Sequence, residues 1–294
     1  MWAVYAIIAS FWTCAYSFGN QIAKVSPNIF MVYRGVVPIL LLLPFIGIID
    51  FIDVWQFYAV CVFQGGLIAY IDYRNFRAMR VWGAEIISSI HPFNIGLVFV
   101  MWLIFHPYAI VEYIENPIRF LLIVLALSGV VFAVSGYKKS RKSCKALIYM
   151  LPYIVVSTMC DFFNKTAMSF VGNKELIYGS YLYILITAVV VAVINLTIYF
   201  RSHGTLKNLI APHNSKYTFV LVVLVLSMVF KNFAMFNADN PSYVSATIYT
   251  YVIWIMLIGV ALRHMGYAKH YKSLEKNKVI LLLISVSILI LCGK

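Results

Sequence analysis

The amino-acid sequence predicts an all-α polytopic membrane protein with ten transmembrane helices, arranged as two inverted five-helix repeats. Three observations predict this fold class: an apolar composition, ten separate apolar segments, and a short sequence echo between the two halves. Of the 294 residues, 63% are hydrophobic and 11% are charged, and the mean hydropathy is +0.89. Soluble domains carry about 25% charged residues. This chain has too few polar side chains to cover a surface in water, so we expect lipid to be its solvent.

Ten apolar segments approach the length of about 17–25 residues that an α-helix needs to cross a bilayer. They are spaced along the whole chain, at 2–20, 28–49, 54–73, 81–105, 118–136, 146–168, 176–200, 217–236, 241–262 and 278–293. The connections are too short to hold a soluble domain, so activity is expected within the bilayer or at its faces. The first segment lacks the basic start of a cleavable signal peptide and is expected to be a span itself.

The chain divides into a first repeat at 1–137 and a second at 146–294, joined by a basic loop at 138–145. The sequence N-F-R-A-M at 75–79 recurs as N-F-A-M at 232–235, and in both halves it precedes a segment with serines near its start. Because each repeat has an odd number of helices, the second would insert with opposite topology. Inverted repeats are a common architecture of secondary transporters, whose substrate site lies near the midplane between the halves.

The net charge of +13 comes from short basic tracts between the apolar segments, such as KKSRKSCK at 138–145. This placement is typical of topology determinants and of contacts with anionic lipids. No aromatic and basic stacking module accompanies the tracts, so nucleic acid is not an expected partner. The connections after the odd-numbered spans hold 17 Lys and Arg residues and the opposite side holds 5. The positive-inside rule therefore predicts that both termini lie outside the cytoplasm.

Short motifs in five of the predicted spans resemble those of a known family. They are Trp12 in the first span, Pro27 and Arg34 in the second, Gly83, Ala84, Ser88 and Pro92 in the fourth, Gly129 and Gly136 in the fifth, and N-P-S-Y-V-S-A at 240–246 in the ninth. With these motifs the chain resembles the drug/metabolite transporter superfamily, in its ten-helix EamA-like branch. The resemblance implies a carrier with both termini inside, against the charge count. The chain departs from the family pattern at FHP, residues 105–107, and in having no proline that interrupts the ninth span after its first residue.

The stretch GAEIISSIHP at 83–92 places polar residues inside an apolar segment. Glu85, Ser88 and Pro92 fall on one side of a helix. Pro92 cannot donate to the carbonyl of Ser88, which is then available to a ligand, a water or a neighbouring side chain. A carboxyl at this depth costs ~2–3 kcal/mol on insertion scales. Glu85 is therefore either a substrate or proton site, or an interfacial residue paired with Arg77 or Arg80.

Other ionisable residues at depth are candidates for the same site. His91 lies off the Glu85 side of its helix and is either a packing residue or a proton-coupling group. Asp161 and Lys165 are one turn apart, and either neutralise each other or leave Asp161 to face a substrate. Lys231, if unpaired, would counter a substrate carboxylate. Arg34 is expected to anchor helix packing or a gate.

Three aromatic residues complete the candidate substrate site. Trp12 and Tyr16 share one face of the first span, and Tyr249 lies one turn from Ser245 in the ninth. An aromatic cavity with a carboxylate would suit an organic cation through cation–π contact. The same cavity with Lys231 would suit a zwitterion such as an amino acid. The sequence leaves both substrates open.

Together these features predict a secondary transporter that moves a small polar or amphipathic metabolite by alternating access. Coupling to protons is the candidate energy source, through Glu85 first and His91 second. The alternatives are a membrane-embedded enzyme, for which the chain lacks H-E-x-x-H and G-x-S-x-G motifs, and a structural or assembly protein of the bilayer. We expect no cofactor and no metal, membrane lipids as partners, a monomer or homodimer, and location in a bacterial inner membrane.

Overall fold

A computed structural model describes residues 1–23, 27–82, 84–135, 141–172, 175–202, 204–211, 214–264 and 275–293. Within these ranges the chain is helical, with no β-strand. Helices satisfy their own backbone hydrogen bonds, which lipid cannot do. The α-helices are α1 (Trp2–Ala23), α2 (Pro27–Leu42), α3 (Trp55–Trp82), α4 (Ala84–Ile90), α5 (Asn94–Phe105), α6 (Pro107–Glu115), α7 (Pro117–Val134), α8 (Arg141–Ser169), α9 (Leu176–Arg201), α10 (Leu206–Leu209), α11 (Ser215–Asn237), α12 (Pro241–Ile248), α13 (Tyr251–His264) and α14 (Lys276–Cys292).

Six stretches in the described chain are long and apolar enough to cross a membrane, judged by length and composition. They are Pro27–Ile48, Pro117–Val134, Cys144–Ser169, Leu176–Arg201, Lys216–Asn237 and Pro241–Ile258. A seventh span results if the sharply bent pair His91–Phe105 and Pro107–Glu115 counts as one. The protein is thus an integral membrane protein of the all-α class. The first, third and tenth predicted segments coincide with α1, α3 and α14, which fall outside this set; α14 is 17 residues long.

Some sequence boundaries differ from the structure. Helix α8 begins at Arg141, so the end of the predicted basic loop 138–145 is helical. Gly83, Gly136 and the first part of that loop lie outside the described residues.

The principal helix contacts join the two halves of the chain. Helices α1 and α11 are antiparallel: the rings of Tyr5 and Phe233 lie 5.5 Å apart near one end of the pair, and Gly19 faces Val220 near the other end. Between these contacts the hydroxyls of Thr13 and Ser227 are 2.8 Å apart. The largest buried apolar cluster likewise draws on both halves. Neither half therefore forms its core alone.

Helices α3 and α8 form a similar antiparallel pair. Gln64 Nε2 donates to the carbonyl of Cys160 at 2.9 Å, and Arg74 donates to the carbonyl of Tyr149 at 2.7 Å. The guanidinium of Arg74 also lies 4.7 Å from the centre of the Tyr149 ring.

Two further antiparallel pairs, α2 with α9 and α7 with α14, complete the bundle. Asn195 Nδ2 donates to the carbonyl of Met31 at 2.9 Å in the first pair. In the second, Arg119 Nε donates to the carbonyl of Cys292 at 2.7 Å. Trp2 Nε1 donates to the carbonyl of Gly293 at 2.8 Å, so both ends of the chain meet. We call this end of the bundle the termini face, and the end that holds Ser135 and Lys278 the opposite face.

The fourth predicted span is broken in the middle. Helix α4 ends at Ile90, a 3₁₀ turn follows at His91–Phe93, and α5 begins at Asn94. Pro92 explains the break, since it lacks an amide hydrogen and its ring clashes with the preceding turn.

The ninth predicted span is also broken, although it contains no internal proline. Helix α12 ends at Ile248 and α13 begins at Tyr251. The hydroxyl of Thr250 donates to the carbonyl of Thr247 at 2.8 Å, a side-chain bond that competes with the helical backbone pattern. In the part of the chain that the structure describes, the fourth and ninth predicted spans are thus interrupted, one in each half, and the sequence predicted only the first break.

Candidate functional site

A buried polar cluster is centred on Asp161 of α8. Its Oδ1 forms an ion pair with Lys231 Nζ of α11 at 2.6 Å. Its Oδ2 accepts hydrogen bonds from Ser245 Oγ at 2.8 Å and from Asn94 Nδ2 at 3.4 Å. The Asp161 side chain is 8% exposed and that of Lys231 is 30% exposed. The carboxylate is therefore enclosed, while its cation retains an accessible side.

Both interrupted helices reach this cluster. Asn94 is the first residue of α5, directly after the first break, and Ser245 lies in α12, just before the second. Asn94 Oδ1 accepts from the hydroxyl of Tyr249, a residue of the second break, at 3.4 Å. Asn94 Nδ2 also lies 3.4 Å from Ser157 Oγ on α8. One amide side chain thus links the two breaks to the helix that carries Asp161.

A second ion pair lies further from the termini face. Arg34 of α2 donates through NH1 to Asp72 Oδ1 of α3, and the Asp72 side chain is 5% exposed. Tyr153 and Cys160 of α8 lie within electrostatic range of both this pair and Asp161. The two ion pairs therefore lie in the same buried interior, near these residues of α8.

His91 joins this interior from the first break. Its ring stacks on Tyr153 with centroids 4.9 Å apart, and its Nε2 lies 3.2 Å from Asn75 Oδ1. Asn75 belongs to the N-F-R-A-M echo. Its counterpart Asn232 donates to Ser180 Oγ at 3.0 Å and accepts from Asn164 at 3.0 Å. Both echo asparagines thus hold a polar contact between helices, which gives the echo a physical role.

A cleft of about 420 Å³ opens beyond Asp161 at the termini face. Its walls are formed by Trp102, His106, Tyr108, Ala109, Glu112, Tyr113, Arg119, Lys165, Asp239, Asn240 and Tyr243. Helix α6 lies on one side of it, bent by 101° from α5. Desolvation raises the pKa of the Asp239 carboxyl, and the Lys165 ammonium opposes that rise. Since Lys165 is one helical turn from Asp161, this charged cleft lies directly outside the buried cluster.

The structure brings Asp161, Lys231 and Tyr249 together, as residues of one predicted site. The structure decides two points about their charges that the sequence left open. Asp161 pairs with Lys231 rather than with Lys165, because Lys165 turns to the cleft and donates to the carbonyl of Phe236 at 3.2 Å. Lys231 is consequently not an unpaired cation.

The other predicted residues lie elsewhere or outside the description. The Trp12 ring packs edge-on against Phe11 of its own helix, 5.5 Å between centroids. Tyr16 packs against Phe30 of α2 and lies within electrostatic range of Arg34. Glu85 and Ser88 belong to α4, but their side chains lie outside the described residues.

Asn94, Ser157 and Asp72 are site residues that the sequence reasoning missed. Asp72 could have been found by the rule applied to Glu85, since it is an ionisable residue within an apolar segment. Asn94 lies two residues after Pro92, the proline that breaks its helix, and a polar side chain at a break can face a ligand. Among the described residues, no group of three or more His, Cys, Asp or Glu side chains could hold a metal ion.

Comparison with known proteins adds evidence on the fold. No family model matches the chain, and no curated protein matches it. A solved structure described only as "Crystal structure of protein" is similar to it with a TM-score of 0.68 and 10% sequence identity. The likeness covers 100% of this chain and 98% of that one. At this identity it shows a shared fold and nothing about activity.

Proposed function

We propose that the protein is a secondary transporter that moves a small zwitterionic metabolite, such as an amino acid, by alternating access. The observation that carries this proposal is the buried Asp161–Lys231 pair, held by side chains from both interrupted helices. Irregular backbone at membrane depth is tolerated where it is buried in protein or lines a cavity, and such breaks form the substrate and ion sites of many carriers.

The pattern of helix contacts supports ten spans in two inverted repeats. Exchanging the halves maps α1 onto α8 and α3 onto α11, so the α1–α11 pair becomes the α8–α3 pair. The pairs α2–α9 and α7–α14 map onto themselves, and the break between α4 and α5 maps onto that between α12 and α13. Helices α1, α3 and α14 each pack lengthwise against an apolar helix that is long enough to span the membrane. They would therefore cross the bilayer together with that helix.

The ion pair favours a zwitterion over an organic cation. A substrate ammonium would replace Lys231 at Asp161, while the substrate carboxylate would take the released Lys231 ammonium. A simple cation would bind Asp161 but leave Lys231 without a counter-ion, and an uncompensated charge inside a protein is costly. Only a substrate with both charges leaves Asp161 and Lys231 both paired.

Flux through reconstituted protein tests the function. Proteoliposomes loaded with an unlabelled neutral amino acid should exchange it for the radiolabelled form with saturable kinetics, and tetraethylammonium should compete weakly. The product recovered inside the vesicles should be chemically unchanged. Conversion of the amino acid would support an enzyme instead. Absence of saturable exchange across a panel of amino acids and amines would contradict the carrier proposal.

The orientation follows from charge. We propose that the termini face lies outside the cytoplasm, because the connections predicted after the odd-numbered spans hold 17 Lys and Arg residues and the other side holds 5. A C-terminal fusion to a fluorescent protein that matures only in the cytoplasm should stay dark, while fusion to periplasmic alkaline phosphatase should be active. The reverse pattern would place the termini inside, as the family resemblance implies.

A further inference from the structure

A long apolar groove runs along the outer surface of the bundle between α5 and α7. Its volume is about 850 Å³, within the range of ligand sites in proteins. The walls are formed by Phe93, Gly96, Phe99, Val100, Leu103, Phe120, Val124, Leu127, Ser128, Val131, Phe132, Ser135 and Lys278. Among the described lining residues, Lys278 at one end is the charged one. The described part of the groove therefore combines a long apolar floor with a cation at one end.

The length of the groove suits one chain of a membrane lipid. From Phe120 to Ser135 it follows about 22 Å of α7, at 1.5 Å per residue. One leaflet contributes about 15 Å to the hydrocarbon core. Ser135 directly follows α7, and Lys278 lies in the first turn of α14, so both mark the interface at the opposite face. The groove thus extends from that interface past the bilayer midplane.

The charged end of the groove favours an anionic headgroup. No carboxylate of the described residues lies within ion-pair distance of Lys278. Phe132, in the groove wall next to that end, is 68% exposed. Ser135 and Lys278 also border two of the connections that hold most of the basic residues in the sequence, and basic tracts attract anionic lipids. A zwitterionic headgroup would bring its own cation into this basic region.

We propose that the groove is a binding site for an anionic phospholipid, with the phosphate at Lys278 and one acyl chain along α7. This site is separate from the Asp161 cluster. Its inner wall includes Phe93, whose chain neighbour Asn94 holds Asp161. The bound chain would therefore lie against the outside of the first break.

Native mass spectrometry of the full-length protein tests the site. Protein equilibrated in mild detergent with equal amounts of phosphatidylglycerol and phosphatidylcholine should retain phosphatidylglycerol with about five-fold preference, since one lysine near the surface contributes about 1 kcal/mol. Lys278→Gln should remove the preference. Lys276→Gln is the matched control, because Lys276 begins the same helix without lining the groove.

A second pair of variants tests the acyl chain. Gly96→Phe should fill the groove and reduce retention of both lipids, since an added Cβ there meets no atom within 4 Å. Gly66→Phe, at an equally open position outside the groove, should leave retention unchanged. Ser128→Phe fills the groove from α7 and replaces Gly96→Phe as the test variant if Gly96→Phe does not fold. Equal retention of the two lipids by the unaltered protein, or a lipid-free dimer, would overturn the proposal.

Discussion

Lys231→Met is expected to reduce exchange of a neutral amino acid at least 100-fold. The substitution keeps the length of the side chain but leaves the enclosed carboxylate of Asp161 without its cation. Truncating one partner of a buried, hydrogen-bonded charge pair weakens binding by about 2–5 kcal/mol, and about 1.4 kcal/mol corresponds to a tenfold change in binding. Radiolabelled exchange in proteoliposomes measures the loss. Lys216→Met, an exposed lysine on the same helix α11, should leave exchange unchanged.

A double variant separates a binding role from a structural one. Asp161→Leu combined with Lys231→Met removes both charges, and replacing a buried pair by apolar residues is often neutral or stabilising. The double variant should regain the melting temperature that Lys231→Met loses, yet stay inactive in exchange. Recovery of exchange together with stability would mean that the pair only holds α8 to α11, and would contradict the proposed substrate site.

Gly35→Val is expected to prevent stable assembly of the bundle. Glycine allows α2 to approach α9 so closely that an added Cβ would lie 2.5 Å from Ala192 Cα. This clash can be relieved only if the backbones of α2 and α9 move apart, because the contacting atoms belong to the Ala192 backbone and its Cβ rather than to a flexible side chain. Even ordinary overpacking costs about 1–3 kcal/mol, and here the displaced atoms belong to a helix backbone.

The matched control for Gly35→Val is Gly66→Val on α3, where an added Cβ meets nothing within 4 Å. Melting of purified protein, followed by size-exclusion chromatography after heating, compares the two. Gly35→Val should yield aggregated protein or a melting temperature well below that of the control. Equal melting temperatures would show that α2 and α9 tolerate separation, and that their contact is not essential to the fold.

The two interrupted helices show how far local sequence predicts backbone. The first break follows from Pro92, whose effect depends on its own ring and missing amide hydrogen. The second contains no internal proline, and Thr250 bonds to Thr247 while Trp254 Nε1 donates to Ser10 Oγ of α1 at 3.0 Å. Threonine hydroxyls also occur in unbroken helices, so the residue type alone did not predict this break.

The candidate site, too, was predictable from the sequence only in part. Asp161, Lys231 and Tyr249 were identifiable because polar and ionisable residues are rare within apolar segments and costly there. The pairing of Asp161 with Lys231, however, was not identifiable from the sequence. The spacing of four residues favoured Lys165 as the partner of Asp161, whereas the structure uses Lys231, 70 residues away along the chain. Spacing along one helix fixes which residues share a face, but it does not identify the helix that packs against that face.

The sequence by itself determined that this protein is an integral membrane protein and that it is built of helices. Those properties depend on composition and on local backbone hydrogen bonding, which each segment satisfies alone. Only the tertiary structure decided that Asn94 and Ser245 meet at Asp161, that Arg34 pairs with Asp72, and that an apolar groove ends at Lys278. These contacts depend on how helices from the two halves orient and approach one another. That arrangement is set by close packing at positions such as Gly35, where side-chain volume rather than polarity decides the distance between α2 and α9.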